Sequence, residues 1–190
     1  MRTTPLSPRT AVVLRGLEKW RPPHAEQEGL REEYVAFVAE HGDGSLRRAG
    51  GPEHLTASTF ILTPDLTHVL LVLHRKAGAW LQVGGHVEDD DVDLPAAARR
   101  EALEETGLAD VALWRPEPVD LNRHALGERF SCRTHLDVGF VALAGRDEAI
   151  AVSDESDDVA WWPVDALPDG APADQGQRLA YAVAAVRGGR

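Results

Sequence analysis

The spacing of apolar residues changes along the chain, from a helical period near the N-terminus to short alternating or continuous runs further on. Apolar residues recur at helical spacing from Thr10 to Trp20, and Ser7-Pro8 before them is typical of a helix N-terminus. The same period covers Ala25 to Glu40. We therefore predict two amphipathic helices, followed by a turn at Gly50-Gly51-Pro52.

Short apolar runs bounded by turn residues follow and predict β-strands. These runs are Ser58 to Leu62, Val69 to His74, Trp80 to Val83, Val111 to Arg115, Val119 to His124, Thr134 to Ala144 and Val159 to Trp162. Helical segments are predicted around residues 100–106 and from Asp174 to Val186. This order favours an α/β fold, a mixed β-sheet with helices on its faces. We expect one domain at residues 53–190, with an N-terminal helical extension at residues 1–52.

Composition and charge narrow the classes of partner. Of the 190 residues, 43% are hydrophobic, which is typical of a globular protein. The formal net charge of −11 would repel a nucleic-acid backbone, so no nucleic-acid partner is expected. We expect no membrane contact, because no apolar run has the length of a membrane span, and we expect a cytoplasmic location, because no signal peptide is visible.

The number of cysteines is also consistent with a cytoplasmic location. Cys132 is the single cysteine, which excludes an intrachain disulfide and fits a reducing compartment. We also expect no cysteine-based zinc site, and we interpret Cys132 as a small buried hydrophobic residue.

Three glutamates in one predicted helix are the strongest sign of chemistry. Glu101, Glu104 and Glu105 stand at i, i+3 and i+4, so they share one helix face. Like charges at i, i+4 destabilise a helix by about 0.2–0.5 kcal/mol per pair. A solvated helix face is one interpretation of this stripe. The other is a site for a compensating divalent cation, which carboxylate oxygens bind well.

The residues around the glutamates favour the metal site. Gly84-Gly85-His86 follows an apolar strand, and an acidic run from Asp89 to Asp93 leads into the helix. Asp93 can cap the helix N-terminus, and Gly107 can end the helix in the left-handed conformation. The unit is therefore a strand, a glycine loop, an acidic loop and an acidic helix with a glycine stop.

This unit resembles the signature of the Nudix hydrolases, from Gly85 to Leu108. The helix half matches fully, with Arg100 before the glutamates and Gly107 after them. The loop half departs from the family pattern. Asp91 stands where the family has glutamate, and the loop to Arg100 is one residue longer; Val83 replaces the usual proline before the glycines.

The resemblance implies a fold and an activity. The expected fold is the Nudix α/β/α sandwich around a mixed β-sheet. The expected reaction is divalent-metal-dependent hydrolysis of a diphosphate (phosphoanhydride) bond in a nucleoside diphosphate linked to another moiety, with Mg²⁺ or Mn²⁺. The expected metal ligands, implied by the resemblance, are the carboxylates of Glu101, Glu104 and Glu105 and the carbonyl of Gly84.

The resemblance also suggests roles for residues outside the metal ligands. Arg100 is expected to orient the acids, and Asp91, with Asp93 as its rival, to pair with Arg100. The general base comes either from the helix or from a later loop, and a solvated loop is the alternative interpretation of the late acids. Candidate phosphate contacts are Arg75, Lys76 and His86, and the late acids are Asp154, Glu155, Asp157 and Asp158.

Two other functions stay open at this point. A nucleotide- or nucleotide-sugar-binding sensor on the same scaffold is one, although such modules commonly lose part of the acidic helix. A prenyl diphosphate isomerase is the other, but its catalytic cysteine lies upstream of the acidic helix in the relatives, whereas Cys132 lies downstream. The N-terminal helices are compatible with a homodimer interface.

Overall fold

The computed structural model describes residues 6–127 and 131–189. Within these residues it has four α-helices and seven strands, and two short 3₁₀ helices at Gly42–Leu46 and Arg48–Gly50. The α-helices are α1 (Pro8–Lys19), α2 (Ala25–His41), α3 (Leu94–Thr106) and α4 (Gln175–Gly188). The strands are β1 (Glu53–Leu62), β2 (His68–His74), β3 (Ala79–Leu81), β4 (Val83–His86), β5 (Asp120–Ala125), β6 (Thr134–Leu143) and β7 (Ser156–Pro163).

The predicted N-terminal helices are confirmed, and their ends have local causes. The hydroxyl of Ser7 accepts a hydrogen bond from the backbone N–H of Thr10 at 3.2 Å, and Pro8 occupies the first turn of α1. α2 ends where Gly42 adopts a positive φ of 55°. The predicted turn at residues 50–52 begins at Gly50, the last residue of the second 3₁₀ helix.

Strand β1 is the centre of a mixed sheet. It runs parallel to β6 over its whole length, from the pair Glu53–Thr134 to the pair Leu62–Leu143. On its other side it pairs antiparallel with β4 in its middle and with β2 at its end. β5 is antiparallel to β6, while β3 and β7 are antiparallel to β2. The predicted α/β fold with a mixed sheet is therefore confirmed.

Two strand predictions were wrong. The segment from Val111 to Arg115 makes only an isolated bridge, between Leu113 and Ala142. Pro116 and Pro118 follow directly, and proline has no N–H to continue a ladder. The run from Trp80 to Val83 is not one strand but the end of β3 and the start of β4, because β3 pairs with β2 whereas β4 pairs with β1.

The helices cover both faces of the sheet. Alternate residues of β1 and β6 point to opposite sides. Leu55 and Phe140 pack with apolar residues of α1, α2 and α3, whereas Phe60 and Val141 pack with those of α4. The result is an α/β/α sandwich in which α1 and α2 share the core of the sheet. None of the helices in the described part of the chain combines the length and apolarity needed to cross a membrane.

Candidate active site

The acidic helix α3 begins and ends as its sequence predicts. The Asp93 carboxylate accepts a hydrogen bond from the backbone N–H of Ala96 at 2.8 Å and so caps the helix N-terminus. Gly107 ends the helix with φ +67°, and a Cβ there would lie 2.8 Å from the Cβ of Ala151. These two ends fix which turn of α3 faces the glycine loop.

The predicted glycine loop, Gly84-Gly85, is part of strand β4 and pairs with β1, because the ladder continues through both glycines. It lets the acids of α3 approach the backbone of β4. The Gly84 N–H donates to Glu105 Oε2 at 2.8 Å. A Cβ on Gly85 would lie 2.6 Å from the carboxylate of Glu101, which is closer than any side chain tolerates. The two glycines therefore place the backbone of β4 in direct contact with two of the three predicted metal-binding acids.

Arg100 lies at the centre of the acids. Its guanidinium donates to Asp91 Oδ2 at 2.9 Å, to Glu101 Oε1 at 3.0 Å and to Glu104 Oε2 at 3.0 Å. It also donates to the carbonyl of His86 at 2.8 Å. The structure thus brings Asp91, not the helix cap Asp93, against Arg100, and the guanidinium links the acidic loop to the acidic helix.

Burial raises the pKa values of two of these acids, and the nearby positive groups do not offset it. It raises the pKa of Glu101 to about 7, although Arg100 acts in the opposite direction. It raises the pKa of Glu105 to about 8 against the hydrogen bond from Gly84, and the nearby carboxylates of Glu101 and Glu155 add to the rise. A cation bound beside the acids would stabilise their ionised forms and lower these pKa values.

The donor atoms fit a hard divalent ion. Three carboxylates and the Gly84 carbonyl are the predicted ligands, and oxygen donors are those that Mg²⁺ and Mn²⁺ prefer. Glu105 is buried and Glu101 largely so, whereas Glu104 keeps 59% of its side chain exposed, which leaves the cluster open to solvent on one side. The residues present therefore fit such an ion.

A cleft of about 770 Å³ adjoins the acids. Gly84 and Gly85, which contact the acids, are part of its lining, and so are the predicted residues Lys76, His86 and Glu155. Apolar side chains and polar residues of β1, β5, β6 and α4 also line it, the polar ones including Thr56, Ser58, Asn122, His124, His135, Asp137 and Arg178. The cleft therefore lies on the α4 side of the sheet, beside the glycine loop.

Arg75 and Asp154 lie outside the described lining of the cleft. The guanidinium of Arg75 donates to Asp157 Oδ1 and to the carbonyl of Asp154, both at 2.7 Å, and to the carbonyl of Ser156 at 2.9 Å. Arg75 thus holds the loop before β7 in place, and that loop carries Glu155 to the cleft.

The cleft also contains a buried ion network that sequence reasoning missed. Arg178 of α4 donates to Asp120 Oδ2 at 2.6 Å and to Asp137 Oδ2 at 2.7 Å. Ser58 and Thr56 donate their hydroxyl hydrogens to Asp137. Arg178 shares the inner face of α4 with apolar residues four and eight positions later, and a lone arginine on such a face was the available signal.

The two carboxylates of the network have pKa values shifted in opposite directions. Burial alone would raise the pKa of Asp137, but Arg178 and the hydroxyl of Ser58 outweigh it and hold that pKa below its ordinary value. For Asp120, burial wins over Arg178, and its pKa is raised. Arg178 is therefore what keeps Asp137 ionised under the cleft.

A group of histidines lies at one end of the cleft. The ring centroids of His54, His86 and His135 are 5.0–5.1 Å apart, and Cys132 Sγ is 3.8 Å from His86 Nε2. Burial lowers the pKa of His86 to about 4 and that of His135 to about 3. His86, predicted to contact phosphate, thus directs its ring toward this group.

Known structures share this fold. A NUDIX-family hydrolase from Clostridium perfringens is 25% identical, with a TM-score of 0.58 over 70% of this chain and 97% of that one. An Ap4A hydrolase from C. elegans is 18% identical, with a TM-score of 0.59 over 70% of this chain and 98% of that one. The dihydroneopterin triphosphate pyrophosphohydrolase of E. coli is 18% identical, with a TM-score of 0.58 over 71% and 97%.

The sequence itself matches a family profile. No protein of curated function matches the sequence. The profile of the NUDIX domain matches residues 52–184, which is well over half of the chain and contains the glycine loop, α3 and the cleft. Members of this family generally use a divalent metal ion. The chain therefore belongs to the NUDIX family.

Proposed function

We propose that the protein is a divalent-metal-dependent pyrophosphohydrolase, which cleaves a phosphoanhydride bond in a nucleoside diphosphate linked to another moiety. Membership of the NUDIX family supports pyrophosphohydrolase activity. The single observation that carries the proposal is the packing of Glu101 and Glu105 against the glycine loop, with Arg100 between Glu101 and Glu104. A sensor that had lost hydrolysis would have no need of this complete set.

The acids have a defined task in this reaction. Glu101, Glu104 and Glu105, with the Gly84 carbonyl, would hold Mg²⁺ or Mn²⁺. When bound, such an ion neutralises phosphate oxygens and lowers the pKa of a coordinated water. Arg100 fixes the orientation of the acids through its bonds to Glu101 and Glu104. Phosphoryl transfer depends mostly on positioning and charge neutralisation, which this arrangement supplies.

Residues of the cleft would meet the substrate. Lys76 lines the cleft and is our proposed phosphate contact, whereas Arg75 lies outside the described lining. Glu155 lines the same cleft and is close enough to raise the pKa of Glu101 and Glu105. We therefore favour Glu155 over Asp154 as the later base or metal ligand.

The class of substrate is a small nucleotide derivative. The C. elegans and E. coli proteins of similar fold are named for Ap4A and for dihydroneopterin triphosphate, both of which contain phosphoanhydride bonds. The net charge of −11 disfavours nucleic acid as a partner. We propose a cytoplasmic location, and a homodimer as the form to test by light scattering.

A substrate screen with matched variants tests the proposal. Nucleoside diphosphate derivatives are incubated with Mg²⁺ or Mn²⁺, and released phosphate is measured after coupling to a phosphatase. We expect turnover that EDTA abolishes, and a fall in kcat of at least about 10²-fold in Glu105→Gln and Glu104→Gln, comparable to losing one charge-stabilising group. Glu40→Gln, the same change on the exposed surface of α2, is the control.

The outcome separates the candidates. Full activity in both active-site variants would show that these acids of α3 take no part in the reaction. No turnover across the panel, with ligand binding retained, would favour a sensor instead of an enzyme.

A further inference from the structure

Four side chains with metal-binding atoms converge beside the glycine loop, and none of them is one of the acids of α3. They are His54 of β1, His86 at the end of β4, Cys132 in the loop before β6 and His135 of β6. Their ligand atoms all lie within 4.8 Å of one another. The convergence follows from strand register, because His54 pairs directly with His135 in the parallel ladder of β1 and β6. Neither His54 nor Cys132 has a role in the hydrolytic site.

The group is buried and short of hydrogen-bond partners. His54 is fully buried, and within the described residues neither of its ring nitrogens makes a hydrogen bond. Burial lowers the pKa of His54, and the nearby Gly51 backbone opposes that shift without meeting hydrogen-bond geometry. Nε2 of His135 is likewise buried without a partner among these residues. Buried polar atoms are almost always satisfied, so these nitrogens indicate a missing ligand.

The ligand set identifies the chemistry. Three imidazoles and one thiol are borderline or soft donors, which select zinc over the hard ions that carboxylates bind. In a tetrahedral zinc site neighbouring ligand atoms are about 3.3–3.6 Å apart, given bonds of about 2.0 Å to nitrogen and 2.3 Å to sulfur. The present separations, all within 4.8 Å, exceed those distances by about 1.5 Å at most. We propose that His54, His86, Cys132 and His135 form a tetrahedral zinc site.

Such a site is closed and structural, because all four positions are taken by protein. It would join three parts of the fold: the start of β1, the end of the glycine loop and the segment between β5 and β6. Leu126 and Gly127 of that segment line the cleft, as does Ala125 at the end of β5. Zinc would therefore fix one wall of the cleft to the glycine loop, and Cys132 would lose its proton to solvent on binding.

Metal analysis of the whole protein tests the site. The protein is loaded with Zn²⁺, dialysed against Mg²⁺-containing buffer and analysed by mass spectrometry of its metal content. We expect one zinc per chain, and a zinc affinity at least about 100-fold lower in Cys132→Ser and His54→Gln, since loss of a direct ligand exceeds the effect of an outer partner. Removing zinc is expected to lower the Tm by about 5–10 °C.

Two controls separate this site from its surroundings. His124→Gln changes a cleft histidine whose ring is 5.5 Å from that of His135 but which is outside the ligand set, and it should keep one zinc. Glu105→Gln should also keep zinc while losing hydrolysis. Failure of the hydrolytic proposal would therefore leave the zinc result intact, and the reverse holds as well.

Cobalt substitution keeps the test decisive if a variant fails to fold. Co²⁺ bound to the wild-type protein should show the d–d bands of tetrahedral geometry and a thiolate-to-metal charge-transfer band, and this last band should be absent in folded Cys132→Ser. Wild-type protein that retains less than about a tenth of an equivalent of zinc, or a cobalt spectrum without the thiolate band, overturns the proposal.

Discussion

Gly85 decides, at the scale of one residue, how closely α3 approaches the glycine loop. A Cβ at this position would lie 2.6 Å from the carboxylate of Glu101. The atoms it meets are the far end of a flexible side chain, so the fold can adjust by moving that carboxylate alone. Gly85 is therefore expected to matter for activity much more than for stability.

The substitution Gly85→Ala tests this expectation. Displacing Glu101 by about 1 Å should lower kcat by about 10²-fold, because reacting groups must be placed precisely. The Tm should change little. Steady-state kinetics and thermal unfolding measure the two effects on the same preparation.

Gly29→Ala is the matched control, because a Cβ at this position in α2 meets nothing within 4 Å. Alanine there should stabilise the helix by about 0.5–1 kcal/mol and leave kcat unchanged. A Gly85→Ala enzyme with normal kcat would show that Glu101 is not fixed by contact with the loop.

Local sequence spacing predicts the acids of α3 but not the contacts of His54 and Arg178. The shared face of Glu101, Glu104 and Glu105 follows from helical periodicity alone. The contacts of His54 and Arg178 depend instead on the register of β1 with β6 and on the docking of α4. No local pattern fixes these long-range pairings. The expectation that a cysteine-based zinc site is absent counted cysteines only, and the fold adds three histidines to Cys132.

At the scale of elements, one ion network joins α4 to the sheet under the cleft. Arg178 of α4 contacts Asp120 of β5 and Asp137 of β6, and all three residues are buried. Buried charges are tolerated only while each has its partners. The two strands and the helix are therefore coupled through a single guanidinium.

Replacing that guanidinium should destabilise the whole fold. Arg178→Met leaves two buried carboxylates without a cation, and the expected loss in the free energy of unfolding is about 3–5 kcal/mol. Adding Asp120→Asn and Asp137→Asn removes the unpaired charges and should restore part of that loss. Urea unfolding followed by circular dichroism measures each variant.

Arg187→Met, on the exposed last turn of α4, is the control and should stay within about 0.5 kcal/mol of the wild type. If the triple variant proves less stable than Arg178→Met alone, unpaired charge is not the cause of the loss.

The sequence predicts most of the helices and strands, and the two wrong strand predictions have one cause. Helices carry their period, caps and stops within the segment, as α1 and α3 illustrate. A strand needs a partner, so an apolar run is not sufficient. The run at 111–115 lies beside β6 but is cut short by prolines, and the run at 80–83 is divided because its halves pair with different strands.

At the scale of the whole molecule, the N-terminal helices are joined to the sheet by core and polar contacts. Leu17 and Tyr34 belong to the same apolar cluster as Leu136. The side-chain amide of Gln27 bonds to both the N–H and the carbonyl of Leu121, at 2.6 and 3.0 Å. We propose that residues 1–52 are an extension of the domain at 53–190 and not a unit that folds separately.

Leu17→Ala tests this unity. Leu17 is 1% exposed in α1, and its truncation should lower the free energy of unfolding by about 2–5 kcal/mol. Tryptophan fluorescence reports mainly on residues 53–190, since four of the five tryptophans are Trp80, Trp114, Trp161 and Trp162. In one cooperative unit, the urea midpoint by fluorescence shifts together with the midpoint by circular dichroism.

Val12→Ala, at a position 40% exposed on the same helix, is the control and should shift neither midpoint. An unchanged fluorescence midpoint in Leu17→Ala, with a lowered one by circular dichroism, would instead mean that the helices unfold on their own.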